Sequence, residues 1–140
     1  MTDHDAKAGL KQVPLFADFD RHDLAHLAPI STQLSIAKGE KLMSEGELAR
    51  EMVVVLEGTL EVTRNGVHVA DIEAGEFAGE MGLLTGHVRN STVTAKTDVV
   101  VLHIDGRSFD DLLENVPQLA VKMLPIVAKR LMAASDDHVG

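Results

Sequence analysis

The chain has 140 residues, a formal net charge of −9, 45% hydrophobic residues and no cysteine. This length suffices for one domain with a sizeable core, and the apolar content is typical of folded proteins rather than disordered ones. The lack of cysteine excludes disulfides and cysteine-ligated iron–sulfur clusters, and the negative charge argues against direct nucleic-acid binding. We predict no membrane span and no signal peptide, because no long apolar run occurs, and we therefore expect a cytoplasmic location.

The N-terminal part of the chain predicts a tail followed by a helix. Residues 1–8 are expected to form a mobile polar tail, and residues 9–140 a single domain. Asp20 can cap a helix in which apolar residues repeat at helical spacing, and Pro29 ends that helix. A short helical segment is also expected at Pro14–Phe16.

The middle of the chain, about residues 31–104, predicts short strands. Alternating or continuous apolar segments are separated by glycine turns, and Asn65-Gly66 is a strong signal for a two-residue hairpin. Strands at such short, regular spacing indicate a sandwich or roll. The predicted strands are Gln33–Ala37, Lys41–Met43, Met52–Leu56, Thr59–Arg64, Val67–Ile72, Ser91–Ala95 and Val99–Ile104.

Two helices are predicted at the C-terminal end, about residues 106–135. The first covers Gly106–Glu114, and the second begins near Pro117, because proline is favoured in a first helical turn. Apolar residues at helical spacing form a stripe along the second helix. Pro125 lies inside this helix, where it removes one backbone hydrogen bond and is expected to kink or weaken it.

Residues 79–95, which read GEMGLLTGHVRNSTVTA, carry the main functional signal. Gly79 permits close backbone approach, and the amides that follow it can face a negative group. Arg89 can fork onto phosphate oxygens, and Glu80 can accept hydrogen bonds from a sugar hydroxyl. Two alternatives stay open for Arg89, a surface position or an internal ion pair with Glu80. Glu80 can also act simply as an acidic residue in a first helical turn.

This stretch resembles the phosphate-binding cassette of the cyclic nucleotide-binding domain family, of the catabolite-activator and protein kinase A regulatory type. The register is kept without a gap, and the upstream glycines, Gly39, Gly46, Gly58 and Gly75, are also similar to the family pattern. The resemblance implies a mainly β fold with flanking helices. Specifically, it implies an antiparallel, jelly-roll-like β-roll with an N-terminal helix and two C-terminal helices.

The resemblance also implies a ligand site for cAMP or cGMP, with no other cofactor. In the family the glutamate at the position of Glu80 takes the ribose 2′-hydroxyl, and the arginine at the position of Arg89 takes the phosphate. Relatives often cover the base with a side chain of the last helix, and Arg130, Leu131 and Ala134 occupy suitable positions here. The implied ligand-binding residues are Gly79, Glu80, Met81, Gly82, Leu83, Arg89, Asn90 and Ser91.

Asn90 departs from the family pattern, which prefers a small residue directly after the arginine. Many cGMP-preferring members have threonine there, so the resemblance favours cAMP over cGMP. Asn90 can donate its amide to a phosphate oxygen, or it can crowd the pocket. The neighbouring Ser91 fits the pattern and can add a hydroxyl donor.

Three functional interpretations follow from these residues. The first is a stand-alone cyclic nucleotide sensor without an output domain, read by an effector protein or by a second copy through Leu124, Val127 and Leu131. The second is a scaffold that has lost nucleotide binding, and the third is the sensor half of a Crp/Fnr-type transcription regulator. No catalytic constellation is present, so we do not expect an enzyme. We also predict no metal site, since the spaced pair His22 and His26 is more typical of a solvent-facing helix.

Overall fold

The structure, a computed structural model, describes residues 9–139, with side chains from residue 9 to residue 134. The predicted tail at residues 1–8 lies outside the described residues. Among the helices that are described, none has the length and apolar character needed to cross a membrane.

Two four-stranded antiparallel sheets form the body of the molecule. The first sheet has the order β1-β8-β3-β6, and the second has the order β2-β7-β4-β5. This architecture confirms the predicted mainly β roll with flanking helices. The strands are β1 (Ser31–Ile36), β2 (Lys41–Met43), β3 (Glu51–Glu57), β4 (Leu60–Arg64), β5 (Val67–Ile72), β6 (Phe77–Ala78), β7 (Thr92–Ala95) and β8 (Val99–Asp105).

Every predicted strand overlaps one of these, and the turn between β4 and β5 has the expected chemistry. Asn65 and Gly66 have φ values of 54° and 78°, the left-handed conformation that a tight hairpin turn requires. The sequence does not predict β6, because two residues are too few to show a periodic pattern. This strand pairs with β3 and leads directly into the cassette.

The two faces of the first sheet bury separate cores. Along β3, Val53 and Val55 point toward the second sheet, whereas Met52 and Val54 point toward the helices. This follows from the alternation of side chains in a strand, and it explains why β3 is apolar along its length. The residues that face the second sheet belong to the inter-sheet core, and those that face the helices belong to the helix-covered core.

The N-terminal helix covers part of the helix-covered core. A 3₁₀ turn at Pro14–Phe16 precedes α1 (Arg21–Leu27), and a second 3₁₀ turn follows at Ala28–Ile30. Asp20 caps α1 as predicted, since its side chain accepts from the Asp23 amide at 2.9 Å and the Asp23 carboxylate accepts from the Asp20 amide at 3.0 Å. The first of these bonds lowers the pKa of Asp20.

One further helix lies in the cassette, and two more lie in the C-terminal part of the chain. They are α2 (Glu80–Thr85), α3 (Gly106–Asn115) and α4 (Pro117–Val139). Asp105 caps α3 by accepting from the Ser108 amide at 2.9 Å. Helix α4 continues through Pro125, so the proline does not end the helix.

Candidate functional site

Glycines at close contacts shape the cassette around α2. Gly79 has φ 93°, and a Cβ there would lie 2.5 Å from Met43 Cε. Gly82 lies inside α2, where a Cβ would meet the Ala49 Cβ at 2.5 Å. Gly86, with φ 70°, ends the helix. Contact with Ala49 gives a steric reason for the small residue in the middle of α2.

Arg89 is buried beneath the start of α2, with 7% of its surface exposed. Its Nη1 donates to the Gly79 carbonyl at 2.5 Å, and its Nη2 donates to the Glu51 carbonyl at 2.5 Å. The Glu51 carboxylate also lies 3.4 Å from Nη2. The loop that carries Arg89 is fixed by its backbone, because the Arg89 amide donates to the Glu47 carbonyl at 2.8 Å. The guanidinium is thus held by the roll itself.

The ion pair of Arg89 therefore differs from the predicted internal pair with Glu80. Its carboxylate partner is Glu51, at the start of β3, and not Glu80. Glu51 is not among the predicted site residues, because nothing in the β3 segment distinguishes it from an exposed strand end. Its side chain is 23% exposed, so this pair remains partly open to solvent.

Glu80 is the most deeply buried charged residue among those the structure describes, at 1% exposure. Both of its carboxylate oxygens accept from Nη1 of Arg130 on α4, with the Oε2 contact at 2.9 Å. Burial raises the pKa of Glu80 above its usual value of 4.5, and the charge of Arg130 opposes this rise. A carboxylate in this position needs its partner, because an unpaired buried charge is costly.

Arg130 connects α4 to the cassette by three contacts. Besides Glu80, its Nη2 donates to the Phe77 carbonyl at 2.7 Å, and its guanidinium lies 4.7 Å from the centre of the Phe77 ring. The resemblance to the family predicts Arg130 at the site as a base lid. Its pairing with Glu80 was not foreseen, since the two residues are fifty positions apart.

The remaining predicted site residues differ in how exposed they are. Ser91 is buried and donates to the Asn90 side chain at 3.1 Å, while Asn90 itself is exposed. Leu83 packs against the helix-covered core. Met81 and Ala134 are half-buried.

Arg64, at the end of β4, is an additional basic residue at the cassette. Its Nε donates to the Asn90 carbonyl at 3.2 Å and to Ser91 Oγ at 3.3 Å. The antiparallel pairing of β4 with β7 brings this residue to the site. Its position next to the predicted hairpin turn, combined with the pairing of β4 with β7, would have indicated that Arg64 lies at the site.

Comparison with known proteins places this geometry in a family. An uncharacterized NTE family protein of Mycobacterium tuberculosis is 32% identical over 128 residues, which cover 91% of this chain and 22% of that protein. A cAMP-dependent protein kinase regulatory subunit of Yarrowia lipolytica is 34% identical over 106 residues, 74% of this chain and 28% of that protein. The chain thus spans about a quarter of the length of these curated relatives.

The fold is also similar to that of a solved structure. The structure of the Thermus thermophilus catabolite activator protein superimposes with a TM-score of 0.75 at 22% identity, covering 89% of this chain and 61% of that one. The sequence profile described as the cyclic nucleotide-binding domain matches residues 33–116, which include both Glu80 and Arg89. The chain belongs to the cyclic nucleotide-binding domain family, whose members are regulatory ligand-binding domains.

Proposed function

We propose that this chain binds a cyclic nucleotide, cAMP in preference to cGMP, and acts as a regulatory sensor domain formed by residues 9–140. The observation that carries the proposal is the burial of two opposite charges around one short helix. Glu80 is 1% exposed and Arg89 is 7% exposed, and both belong to the family's cassette. Burial of charged groups is expensive, so their retention favours a role in ligand binding over a role in stability alone.

Arg89 is the proposed phosphate ligand. Its guanidinium already donates to two carbonyl oxygens and lies near one carboxylate, so it is oriented before the ligand arrives. A cyclic phosphate would replace part of these contacts with stronger charge-assisted hydrogen bonds. Ser91 and the exposed Asn90 are the proposed additional donors beside it.

Glu80 is the proposed acceptor for the ribose 2′-hydroxyl. The carboxylate is engaged by Arg130 in this structure, so the hydroxyl and the guanidinium compete for the same oxygens. When the hydroxyl takes Glu80, Arg130 becomes available to stack on the base, which is the lid role predicted for it together with Ala134. Binding would thereby change how α4 is held.

The proposed output is α4, read by an effector protein or by a second copy of the chain. Leu124 and Leu131 are exposed on this helix, at 63% and 45%. Val127, the third residue of the stripe identified in the sequence, instead packs against the helix-covered core. Val121, at 68% exposure, takes its place on the open face. A ligand can shift α4 only by as much as its affinity differs between the two helix positions.

Isothermal titration calorimetry of the purified chain with cAMP and with cGMP tests this proposal. Micromolar or tighter binding of cAMP, weaker binding of cGMP and loss of both in Arg89→Ala are expected. Arg107→Ala, which removes an exposed arginine of α3, is the charge-matched control and should bind as the parent chain does. In Asn90→Thr, the ratio of cAMP to cGMP affinity should fall.

A scaffold function without nucleotide is the second candidate, and one observation favours it. Arg89 and Glu80 each have internal partners, Glu51 and Arg130, so the site is satisfied without a ligand. Absence of heat from both nucleotides at millimolar concentration, in a sample whose circular dichroism shows a folded protein, would support the scaffold and exclude the sensor.

A further inference from the structure

The outer face of the β2-β7-β4-β5 sheet carries a cluster of side chains that the nucleotide site does not use. Leu60 and Ile72 of the β4–β5 hairpin pack into the inter-sheet core, so the residues that alternate with them point to the other side. Glu61 and Asp71 are directly paired there, and the His68 ring contacts Glu61. The cluster thus brings one imidazole and two carboxylates together on two adjacent strands.

The spacing of these three groups suits a metal ion. His68 Nδ1 lies 2.8 Å from Glu61 Oε2 and 3.9 Å from Asp71 Oδ1, and all three atoms lie within 4.8 Å of one another. Two ligands of a tetrahedral zinc ion, each about 2.1 Å from the metal, are about 3.4 Å apart. The observed separations lie on both sides of this value, so small side-chain rotations would suffice to bring the three atoms to ligand distance.

Asp71 provides a second, independent observation. Its side chain is 28% exposed, but its Oδ1 atom is buried and has no hydrogen-bond partner among the described residues. Its other oxygen accepts from Lys96 Nζ at 2.8 Å. A buried carboxylate oxygen normally has a partner, and this one faces His68.

The local charge also favours a cation. Glu61 and Asp71 place two carboxylates on directly paired residues, and Lys96 engages one of the Asp71 oxygens. The other Asp71 oxygen and the Glu61 carboxylate leave negative charge beside His68.

We propose that Glu61 Oε2, His68 Nδ1 and Asp71 Oδ1 bind a divalent transition-metal ion of the zinc type, which fastens β4 to β5. Imidazole combined with carboxylates favours such ions over magnesium and calcium, which take oxygen ligands. The sequence alone predicts no metal site, and it does not bring these three residues together. Their convergence depends on the antiparallel register of the hairpin.

Calorimetric titration of the metal-free full chain with zinc chloride, without nucleotide, tests the proposal. One zinc ion should bind with a dissociation constant in the micromolar range, and zinc should raise the melting temperature. His68→Gln should weaken binding at least tenfold and remove the thermal shift. His22→Gln, which changes an exposed histidine of the other pair, is the matched control and should leave both unchanged.

Three results would overturn the proposal. These are no zinc binding at 100 μM, equal binding by the parent chain and His68→Gln, or loss of binding in His22→Gln. If His68→Gln does not fold, Glu61→Gln replaces it with the same expected loss. Since the titration contains no nucleotide and the site lies on the outer sheet face, its result is independent of whether the cassette binds cAMP.

Discussion

The two charged residues of the cassette are held in different ways. Arg89 is fixed by contacts within the roll, to the carbonyls of Gly79 and Glu51, which lie close to it in the folded sheets. Glu80 is fixed by Arg130, which comes from α4 at the far end of the chain. The phosphate end of the proposed site is therefore part of a rigid scaffold, whereas the ribose end is tied to a separate helix. We therefore propose that the phosphate of the nucleotide supplies affinity and that its ribose supplies coupling to α4.

The largest expected effect is on nucleotide affinity, at the phosphate end of the proposed site. Arg89→Lys should reduce cAMP affinity about 100-fold, because an ammonium group cannot replace the planar fork of a guanidinium. The melting temperature should fall only modestly, since lysine can still donate to one of the two carbonyls. Calorimetry and circular dichroism measure the two effects. Unchanged cAMP affinity in this variant would contradict the assignment of Arg89 to the phosphate.

The next largest effect concerns the packing of α2 against Ala49. Gly82→Ala places a methyl group 2.5 Å from the Ala49 Cβ and should destabilise the fold by about 1–3 kcal/mol in urea unfolding. Ala49→Gly in the same chain should restore part of this loss. Gly9→Ala, where nothing lies within 4 Å, is the control and should change stability by less than about 0.5 kcal/mol. No loss in Gly82→Ala would show that α2 does not press against Ala49.

A substitution of Arg130 tests the ribose end of the proposed site. Arg130→Met should lower the free energy of unfolding by about 1–2 kcal/mol, because it leaves the Glu80 carboxylate buried without its partner. The value is at the low end for a buried pair because the Arg130 side chain is 24% exposed. Lys129→Met, its exposed neighbour on α4, should have little effect. Equal losses in both variants would assign the effect to the helix rather than to the ion pair.

The smallest effect is a pH dependence of stability. The pKa of Glu80 is raised in the folded chain, so the folded state holds this proton more tightly than the unfolded state. Its contribution to stability therefore falls as pH rises from about 4.5 through the raised pKa, by at most about 1.4 kcal/mol per pH unit. The free energy of unfolding of the parent chain minus that of Glu80→Gln should fall with this slope as pH rises. A rise of this quantity with pH would contradict the predicted sign.

The sequence predicted the residues whose role is local, and it missed those whose role depends on pairing. Asn65-Gly66 predicted the hairpin because its two residues alone determine the turn, and Asp20 predicted the helix cap for the same reason. By contrast, the partners Glu51 of Arg89 and Arg130 of Glu80 are 38 and 50 positions away, respectively. Such contacts depend on how the strands and α4 pack, which no local pattern records.

The β4–β5 hairpin illustrates the same limit. Its existence followed from the turn residues, but the convergence of Glu61 and Asp71 depends on the register between the strands. That register shifts between Val62 and Thr63, so counting back from the turn gives the wrong pairs. The motif identified the family and the cassette, while the contacts between its parts required the structure.

A four-way comparison of affinities tests the central claim most directly, namely that Arg130 and the ribose compete for Glu80. Calorimetry measures cAMP and 2′-deoxy-cAMP binding to the parent chain and to Arg130→Met. We predict that removal of the 2′-hydroxyl weakens binding at least tenfold more in Arg130→Met than in the parent chain, because Glu80 is then free for the ribose. The same loss in both proteins would contradict the claim and separate the nucleotide site from α4.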